Sequence, residues 1–290
     1  MNIALRAFIR QIAPPFLVSW AQKLLARKAI HSSEDKDIPL LYEAFQKRNA
    51  GCAENEIVLR EDLRLFIHPD SRNAFEHFCY IAPEMVRELD CFIEMTKDRT
   101  RLLDAGALHG IFSLVFAHDS MKQALSVDAS PLAFGRLLYN IHRHPFPNIT
   151  PVESALSERD GTLKMHYEWE HAVAAQVDDP EQRKLSVPMQ TGDVLCNQRQ
   201  FAPDTIKIDV EGHEIKVLRG LMQTITQNRP LIFLEIHPRR IVHEGNSISE
   251  IATLLSPLGY TATNLDESLL SYEALAKIET DCRIVLSSSH

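Results

Sequence analysis

The sequence is poor in cysteine, has no long apolar run and carries no acidic residue before Glu34. Its five cysteines are scattered, odd in number and form no Cys-x-x-Cys pair, which argues against a disulfide framework and a zinc site. This usage is typical of reduced thiols, so we expect a cytoplasmic protein. No stretch of about 18 apolar residues occurs, so a membrane-spanning helix is not expected. The formal net charge of −8 argues against nucleic acid as the main partner, because phosphate binding normally requires a basic surface.

The chain has 290 residues, enough for one large α/β domain and an extension, and we expect three parts. Residues 1–37 are predicted to form a basic amphipathic helical extension with a linker, and residues 38–100 a mixed helical and β cap. Residues 101–290 are predicted to form a Rossmann-like domain. Two interpretations of residues 1–33 stay open: helices packed on the main domain, which we favour, or a peripheral surface that rests on an anionic membrane.

From Arg101 onward, strand and helix patterns alternate, which predicts a doubly wound, mostly parallel sheet with helices on both faces. In sheets of this kind, ligands bind at the carboxyl ends of the strands. A third strand is expected within residues 148–156. The elements expected after it are an additional strand at 161–167, a polar loop at 170–184, a short strand at 187–195, a strand and helix from 205, and two final strands around 260–263 and 282–286.

The segment after residue 205 carries the strongest functional signal. Ile206, Ile208 and Val210 alternate in a way that predicts a buried strand ending at Gly212, and a helix follows. Acidic and imidazole side chains cluster at the end of this strand and of the next one: Asp209, Glu211, His213, Glu235 and His237. Such a cluster at this edge of a sheet indicates an enzyme. Because an unpaired buried ammonium is costly, we expect Asp209 or Glu235 to neutralise Lys207.

A glycine turn follows the first strand of this domain and indicates a cofactor site. It reads Asp104-Ala-Gly106-Ala-Leu-His-Gly110, and Asp128 follows Gly106 by 22 positions at the end of the next strand. Gly106 lets the backbone approach a ligand closely, and an acid at position 128 can accept hydrogen bonds from ribose hydroxyls. Asp104 replaces the first glycine of the dinucleotide pattern, and its charge would repel a pyrophosphate but suit a cationic amino-acid group. We therefore predict S-adenosylmethionine as the cofactor, rather than NAD.

With these motifs, the chain resembles the FkbM-type S-adenosylmethionine-dependent methyltransferases. The resemblance covers roughly residues 102–237, and its most specific part is 207–214. It implies a seven-stranded sheet whose last strand is antiparallel, and methylation of hydroxyl groups on small molecules or glycans. The residues implied in cofactor binding are Asp104, Gly106, Ala107, Gly110, Asp128, Ala129, Ser154 and Asp209. The chain departs from the family's pattern at Leu108, where asparagine is usual, at Asp128, where glutamate is usual, and at Gly192, where an apolar residue is usual.

Methyl transfer from a sulfonium needs an aligned acceptor and a base near the acceptor hydroxyl. The matching position in related folds assigns Asp209 to the methionine end of the cofactor, and we predict Glu211 or His237 as the base. A divalent metal held by Asp209, Glu211 and His237 is the weaker hypothesis, so no metal is predicted. The expected partner is a small-molecule or glycan acceptor. Two other functions stay open: an NAD-dependent nucleotide-sugar-modifying enzyme, and a non-catalytic methyltransferase-fold protein that binds a partner.

Overall fold

The computed structural model describes residues 38–144, 148–168, 171–174 and 184–288. The predicted basic extension, residues 1–37, lies outside the described residues, so both interpretations of it stay predictions. The chain divides into two compact units: one of residues 1–64 and 69–87, the other of residues 65–68 and 88–290. In the part of the chain that the structure describes, no helix is both long and apolar enough to span a bilayer.

The first unit packs helices against a short strand. Its described elements are α1 (Ile38–Asn49), β1 (Glu56–Arg60), β2 (Leu63–Phe66), α2 (Pro69–Ile81) and α3 (Glu84–Met95), of which β2 and α3 continue into the second unit. Phe45 and Phe75 are buried, with their ring centroids 5.9 Å apart in an edge-to-face arrangement. The side chain of Asn49 donates to the carbonyl of Val58 and accepts from its N–H. These contacts give the unit a small core of its own.

The second unit is an α/β domain with two sheets. Its strands are β3 (Arg101–Ala105), β4 (Gln123–Asp128), β5 (Ile149–Glu153), β6 (Ala155–Ser157), β7 (Gly161–Glu168), β8 (His171–Ala174), β9 (Lys184–Thr191), β10 (Thr205–Ile208), β11 (Leu231–Ile236), β12 (Tyr260–Asn264), β13 (Leu269–Leu270) and β14 (Cys282–Ser288). Its helices are α4 (Ile111–Phe116), α5 (Pro131–Arg143), α6 (Gly192–Arg199), α7 (Glu214–Gly220), α8 (Met222–Asn228), α9 (Pro238–His243), α10 (Ser249–Leu255) and α11 (Tyr272–Leu275).

The main sheet confirms the doubly wound, mostly parallel α/β architecture. Its strand order is β13-β12-β14-β11-β10-β3-β4-β5. The five strands from β11 to β5 are parallel, whereas β14 runs antiparallel between β11 and β12. The sheet has eight strands instead of the predicted seven, because the two-residue β13 pairs with β12 at the edge. Strands β10 and β11 are buried along their whole length, as expected for central parallel strands covered on both faces.

The second sheet has the order β6-β9-β7-β8. Strand β6 follows β5 after the single residue Ser154 and pairs in parallel with β9. Strand β7 pairs antiparallel with both β9 and β8. Residues 171–174 were predicted as part of a polar loop, and their strand is a correction. Pairing with a long neighbouring strand outweighs their polar surroundings in the sequence.

Helix α6 is a second correction, because the sequence predicts a short strand over residues 187–195. The strand ends at Thr191, whose hydroxyl accepts from the N–H of Val194 and caps a helix. The departure at Gly192 has a packing reason, since a Cβ there would lie 2.2 Å from Cδ2 of Leu221. The glycine therefore lets α6 approach the junction between α7 and α8.

Candidate active site

A cleft of about 740 Å³, including its open mouth, lies at the carboxyl edge of the main sheet. The turns after β3, β4, β5 and β10 bound it, with Leu163 and Met165 of β7 on one wall. Sheets of this class place their ligands at this edge. The predicted site residues on its wall are Gly106, Asp128, Ala129, Ser154, Asp209 and Glu211. The predicted site residues that are not on its wall are Asp104, Ala107, Gly110 and His237.

The glycine turn packs directly against the end of β10. The N–H groups of Gly106 and Ala107 donate to the carbonyl of Val127, at 2.9 and 3.0 Å. Gly106 has a φ of +83°, and a Cβ on it would lie 1.8 Å from the carbonyl oxygen of Asp209. Only glycine fits both this conformation and this contact, so the turn holds the two strand ends in a fixed relation.

Asp128 presents a carboxylate to the cleft. Its Oδ2 accepts from the N–H of Leu108 at 2.7 Å, and its Oδ1 accepts from the N–H of Ser130 at 2.8 Å. Each oxygen keeps a lone pair for a further donor, such as a ribose hydroxyl. Burial raises the pKa of Asp128 to about 7, although both backbone hydrogen bonds act in the opposite direction. Leu108 has a φ of +48°, a left-handed conformation that asparagine adopts more readily than leucine.

Asp104 is buried away from the cleft wall. Its Oδ2 accepts from the hydroxyl of Ser113 at 2.6 Å, and Ser113 in turn accepts from the hydroxyl of Ser126. Burial raises the pKa of Asp104. Its predicted contact with a cationic amino-acid group is therefore replaced, in the structure, by a partner within the protein. Gly110, also predicted at the cofactor, begins α4 against the side chain of Leu137.

Lys207 is 3% exposed and belongs to a buried cluster of charged side chains that includes Asp209 of the cleft wall. Its Nζ lies 3.3 Å from Oδ2 of Asp209 and 3.6 Å from Oε1 of Glu88. The ammonium also lies 4.6 Å from the ring centroid of Phe112. Burial alone would raise the pKa of Asp209, but the charge of Lys207 holds it well below its usual range. Asp209 thus neutralises Lys207 as expected, and it faces the cleft at the same time.

The ion cluster extends to Arg283 on β14, a residue that the sequence does not single out. The guanidinium Nε lies 3.0 Å from Oε2 of Glu88, and Nη2 lies 2.6 Å from Oε1 of Glu235. Burial, together with the charge of Asp209, raises the pKa of Glu235 well above its usual value. Glu235 therefore belongs to the buried network, and the structure pairs it with Arg283 in place of Lys207.

His237 lies directly after β11 among carboxylates. Its Nδ1 donates to Oε1 of the fully buried Glu214 at 2.8 Å, and its Nε2 lies 3.5 Å from Oε2 of Glu211. The N–H of Gly212 donates to the same oxygen of Glu214 and fixes that carboxylate. Burial alone would lower the pKa of His237, but the hydrogen bond and charge of Glu214 and the charges of Glu211 and Asp209 raise it to about 10. A positive charge is favoured at this position, which disfavours His237 as a proton acceptor.

Glu211 stands on a strained turn between β10 and α7. Strand β10 ends at Ile208, four residues before the predicted end at Gly212, and the chain turns between Val210 and His213, where the N–H of His213 donates to the carbonyl of Val210 at 3.3 Å. Glu211 has a φ of +53°, a left-handed conformation that costs on the order of 1 kcal/mol for a residue with a side chain. Its Oε2 lies 3.3 Å from Nε of Arg240, and its side chain reaches the cleft wall. Of the two predicted bases, Glu211 is the one that faces the cleft.

His213 lies on the cleft wall and is held from both sides. Its Nδ1 lies 2.8 Å from Oε2 of Glu244, and its Nε2 lies 3.0 Å from Oγ of Ser157. Lys216 pairs with the same carboxylate at 2.8 Å. These contacts join the strained turn to β6 and to the end of α9, so His213 positions the turn.

The site belongs to a known domain family. The family model of the methyltransferase FkbM domain matches residues 104–262, more than half of the chain. The chain belongs to the FkbM methyltransferase family. Its cofactor is S-adenosylmethionine, as the glycine turn and Asp128 predict. The family identified from the sequence motifs is confirmed, and the NAD-dependent alternative is not supported.

Three individual proteins illustrate the similarity. The hexuronic acid methyltransferase AglP of Haloferax volcanii is 26% identical over 148 residues, which cover 50% of this chain and 59% of that protein. The chain thus spans about three fifths of the length of this curated relative. The solved FkbM methyltransferase from Methylobacillus flagellatus has 12% identity and a TM-score of 0.45, with 87% of this chain and 59% of that chain covered. A TehB-like SAM-dependent methyltransferase from Corynebacterium glutamicum has 12% identity and a TM-score of 0.42, with 76% and 97% covered.

Proposed function

We propose that this chain is an S-adenosylmethionine-dependent O-methyltransferase whose acceptor is a hydroxyl group on a sugar, in a glycan or a small molecule. The observation that carries the proposal is that Asp128, Asp209 and Glu211 line the same cleft. The first carboxylate suits ribose hydroxyls, and the other two suit the methyl-transfer end. Similarity to a hexuronic acid methyltransferase supports sugar acids as the first acceptors to test.

The residues of the cleft fit the cofactor. Asp128 offers each ribose hydroxyl an acceptor oxygen, and Ala129 and Ser154 continue the wall beside it. Asp209 offers a carboxylate to a cationic group, and its own position is fixed by contact with Gly106. When bound, the cofactor supplies an electrophilic methyl group on a sulfonium sulfur. The protein's contribution is alignment and the removal of one proton.

We assign Glu211 as the general base that accepts the proton of the acceptor hydroxyl. A sugar hydroxyl is a poor nucleophile, so it benefits from a base within hydrogen-bond reach as its oxygen gains the methyl group. Glu211 reaches the cleft, and Arg240 orients its carboxylate. Leu163 and Met165 give the same cleft an apolar wall, which keeps bulk water from competing with the acceptor.

The test is transfer of an isotopically labelled methyl group to a panel of uronic acids and neutral sugars, with product detection by mass spectrometry. We expect a methyl ether on at least one sugar. Glu211→Gln should lower kcat by roughly 100-fold or more while S-adenosylhomocysteine affinity stays within a few-fold, since loss of a general base typically costs that much. A product methylated on nitrogen, or an unchanged kcat in Glu211→Gln, would contradict the proposal.

A further inference from the structure

Three metal-ligand side chains converge beside the cleft. One ligand atom each from Asp209, Glu211 and His237 lies within 4.8 Å of the others. The first two stand on the turn after β10, and His237 follows the neighbouring parallel strand β11, so the sheet itself brings them together. The separation of 3.5 Å between Nε2 of His237 and Oε2 of Glu211 is close to the ~3.0 Å expected for adjacent ligands on an octahedral cation with 2.1 Å bonds.

An independent feature points to a metal ligand at His237. Its Nδ1 is held by Glu214, a carboxylate with 0% exposure that the N–H of Gly212 also fixes. The ring is therefore oriented with Nε2 toward Glu211. A carboxylate behind the far nitrogen of a histidine is the arrangement that orients ligating imidazoles in metalloproteins.

The two carboxylates of the proposed site make long ion pairs within the cluster, Asp209 with Lys207 and Glu211 with Arg240. The ion pairs to Asp209 and Glu211, each at 3.3 Å, are longer than a strong charge-assisted hydrogen bond. The side chains of Asp209 and Glu211 are 25% and 22% exposed, so they have room to close on a cation.

We propose that Asp209, Glu211 and His237 bind one divalent cation of the Mg²⁺ or Mn²⁺ class, which holds the sugar acceptor by two neighbouring oxygens. Two carboxylates and one imidazole suit these ions and leave about three positions open on an octahedral cation. A vicinal diol or a hydroxy acid can fill two of them. Coordination lowers the pKa of the bound hydroxyl, and a carboxylate oxygen of Glu211 that is not on the metal takes the proton. This rests on the proposed function and names the acceptor as a chelating sugar.

The test is titration of the full chain with Mn²⁺, followed by electron paramagnetic resonance of the free ion. We expect one saturable site per chain, and at least tenfold weaker binding in Glu211→Gln and in Asp209→Asn. Glu250→Gln is the matched control, because it removes a carboxylate that pairs with Arg219 elsewhere in the same unit, and its affinity should equal that of the wild type. No saturable binding up to about 1 mM Mn²⁺, or equal binding in all variants, would overturn the metal site.

Calorimetric titration of the same samples with S-adenosylhomocysteine separates the two proposals. If the wild type binds this ligand but not Mn²⁺, the metal-site proposal is wrong and the proposed methyltransferase function is unaffected. Because Asp209 also faces the cofactor, Asp209→Asn is expected to weaken both ligands, so Glu211→Gln, which should lose Mn²⁺ and keep S-adenosylhomocysteine, decides the result. If the wild type binds Mn²⁺ but not S-adenosylhomocysteine, the methyltransferase proposal fails while the cation site remains.

Discussion

Asp128 provides a quantitative test of how the cofactor's ribose is held. In the structure its two oxygens each accept one backbone hydrogen bond and keep one lone pair toward the cleft. A carboxylate can accept hydrogen bonds from both ribose hydroxyls, whereas the protonated acid has one acceptor fewer. Because burial raises the pKa of Asp128 to about 7, ribose affinity should weaken as the pH falls through neutrality.

The magnitude follows from the titration. With a pKa of about 7, the ionised fraction drops from about nine tenths at pH 8 to about one tenth at pH 6. A ligand that binds only the ionised form loses about tenfold in affinity across this range, or ~1.4 kcal/mol. Asp128→Asn removes charge-assisted hydrogen bonds worth about 1.5–3 kcal/mol, so its affinity should be about 10- to 150-fold weaker and independent of pH.

The ligand for this assay is 5′-methylthioadenosine, which carries the ribose and the adenine but no titrating amino-acid group. Calorimetry between pH 6 and pH 8 gives the dissociation constants. Asp128→Glu is the control, since it keeps a carboxylate and should keep the pH dependence. A wild-type affinity that stays flat over this range, or an Asp128→Asn variant that binds as well as the wild type, would refute the assignment of the ribose to this residue.

Three substitutions test the supporting structure. Gly106→Ala should abolish S-adenosylhomocysteine binding and lower thermal stability, because its Cβ would lie 1.8 Å from the carbonyl oxygen of Asp209. The control is Gly135→Ala on the exposed face of α5, which should be neutral or stabilise the fold by about 0.5–1 kcal/mol. Equal effects of the two substitutions on ligand binding and stability would contradict the argument. Leu108→Asn should stabilise the fold by roughly 0.5–1 kcal/mol in denaturant titration, since it relieves a left-handed leucine; a loss of stability would count against this. Arg283→Met should cost about 3–5 kcal/mol, because it leaves the buried Glu235 without its ion-pair partner and Glu88 with Lys207 alone; an unchanged denaturation midpoint would show that these ion pairs contribute little to stability.

The parts of the fold that the sequence predicts are those with local signals. Alternation of apolar residues marks the parallel strands, and a glycine that needs a positive φ marks the turn at Gly106. The parts missed have a local cap in a segment with strand-like spacing, or depend on contacts between distant segments. Helix α6 starts because Thr191 caps it, in a stretch whose spacing suits a strand, and β13 is two residues long and gains its pairing only from β12.

The candidate site shows the same division. Asp128 is the last residue of β4, and Asp209 and Glu211 lie just after β10, so the rule that strand ends meet at one edge places all three in one cleft. The partners of these residues are not recoverable from spacing, since Glu88 and Arg283 are 195 positions apart and meet only when β14 inserts beside β11. Such pairing also changes roles, because the hydrogen bond and charge of Glu214 outweigh the effect of burial on the pKa of His237 and favour a positive charge there.

A crystal structure of the protein with S-adenosylhomocysteine tests the central claim most directly. The account predicts the ribose hydroxyls on the carboxylate of Asp128 and the sulfur directed toward Asp209 and Glu211, with Leu163 and Met165 beside the ligand. A nucleoside found elsewhere on the domain, or a cleft closed by these apolar side chains at saturating ligand, would contradict it.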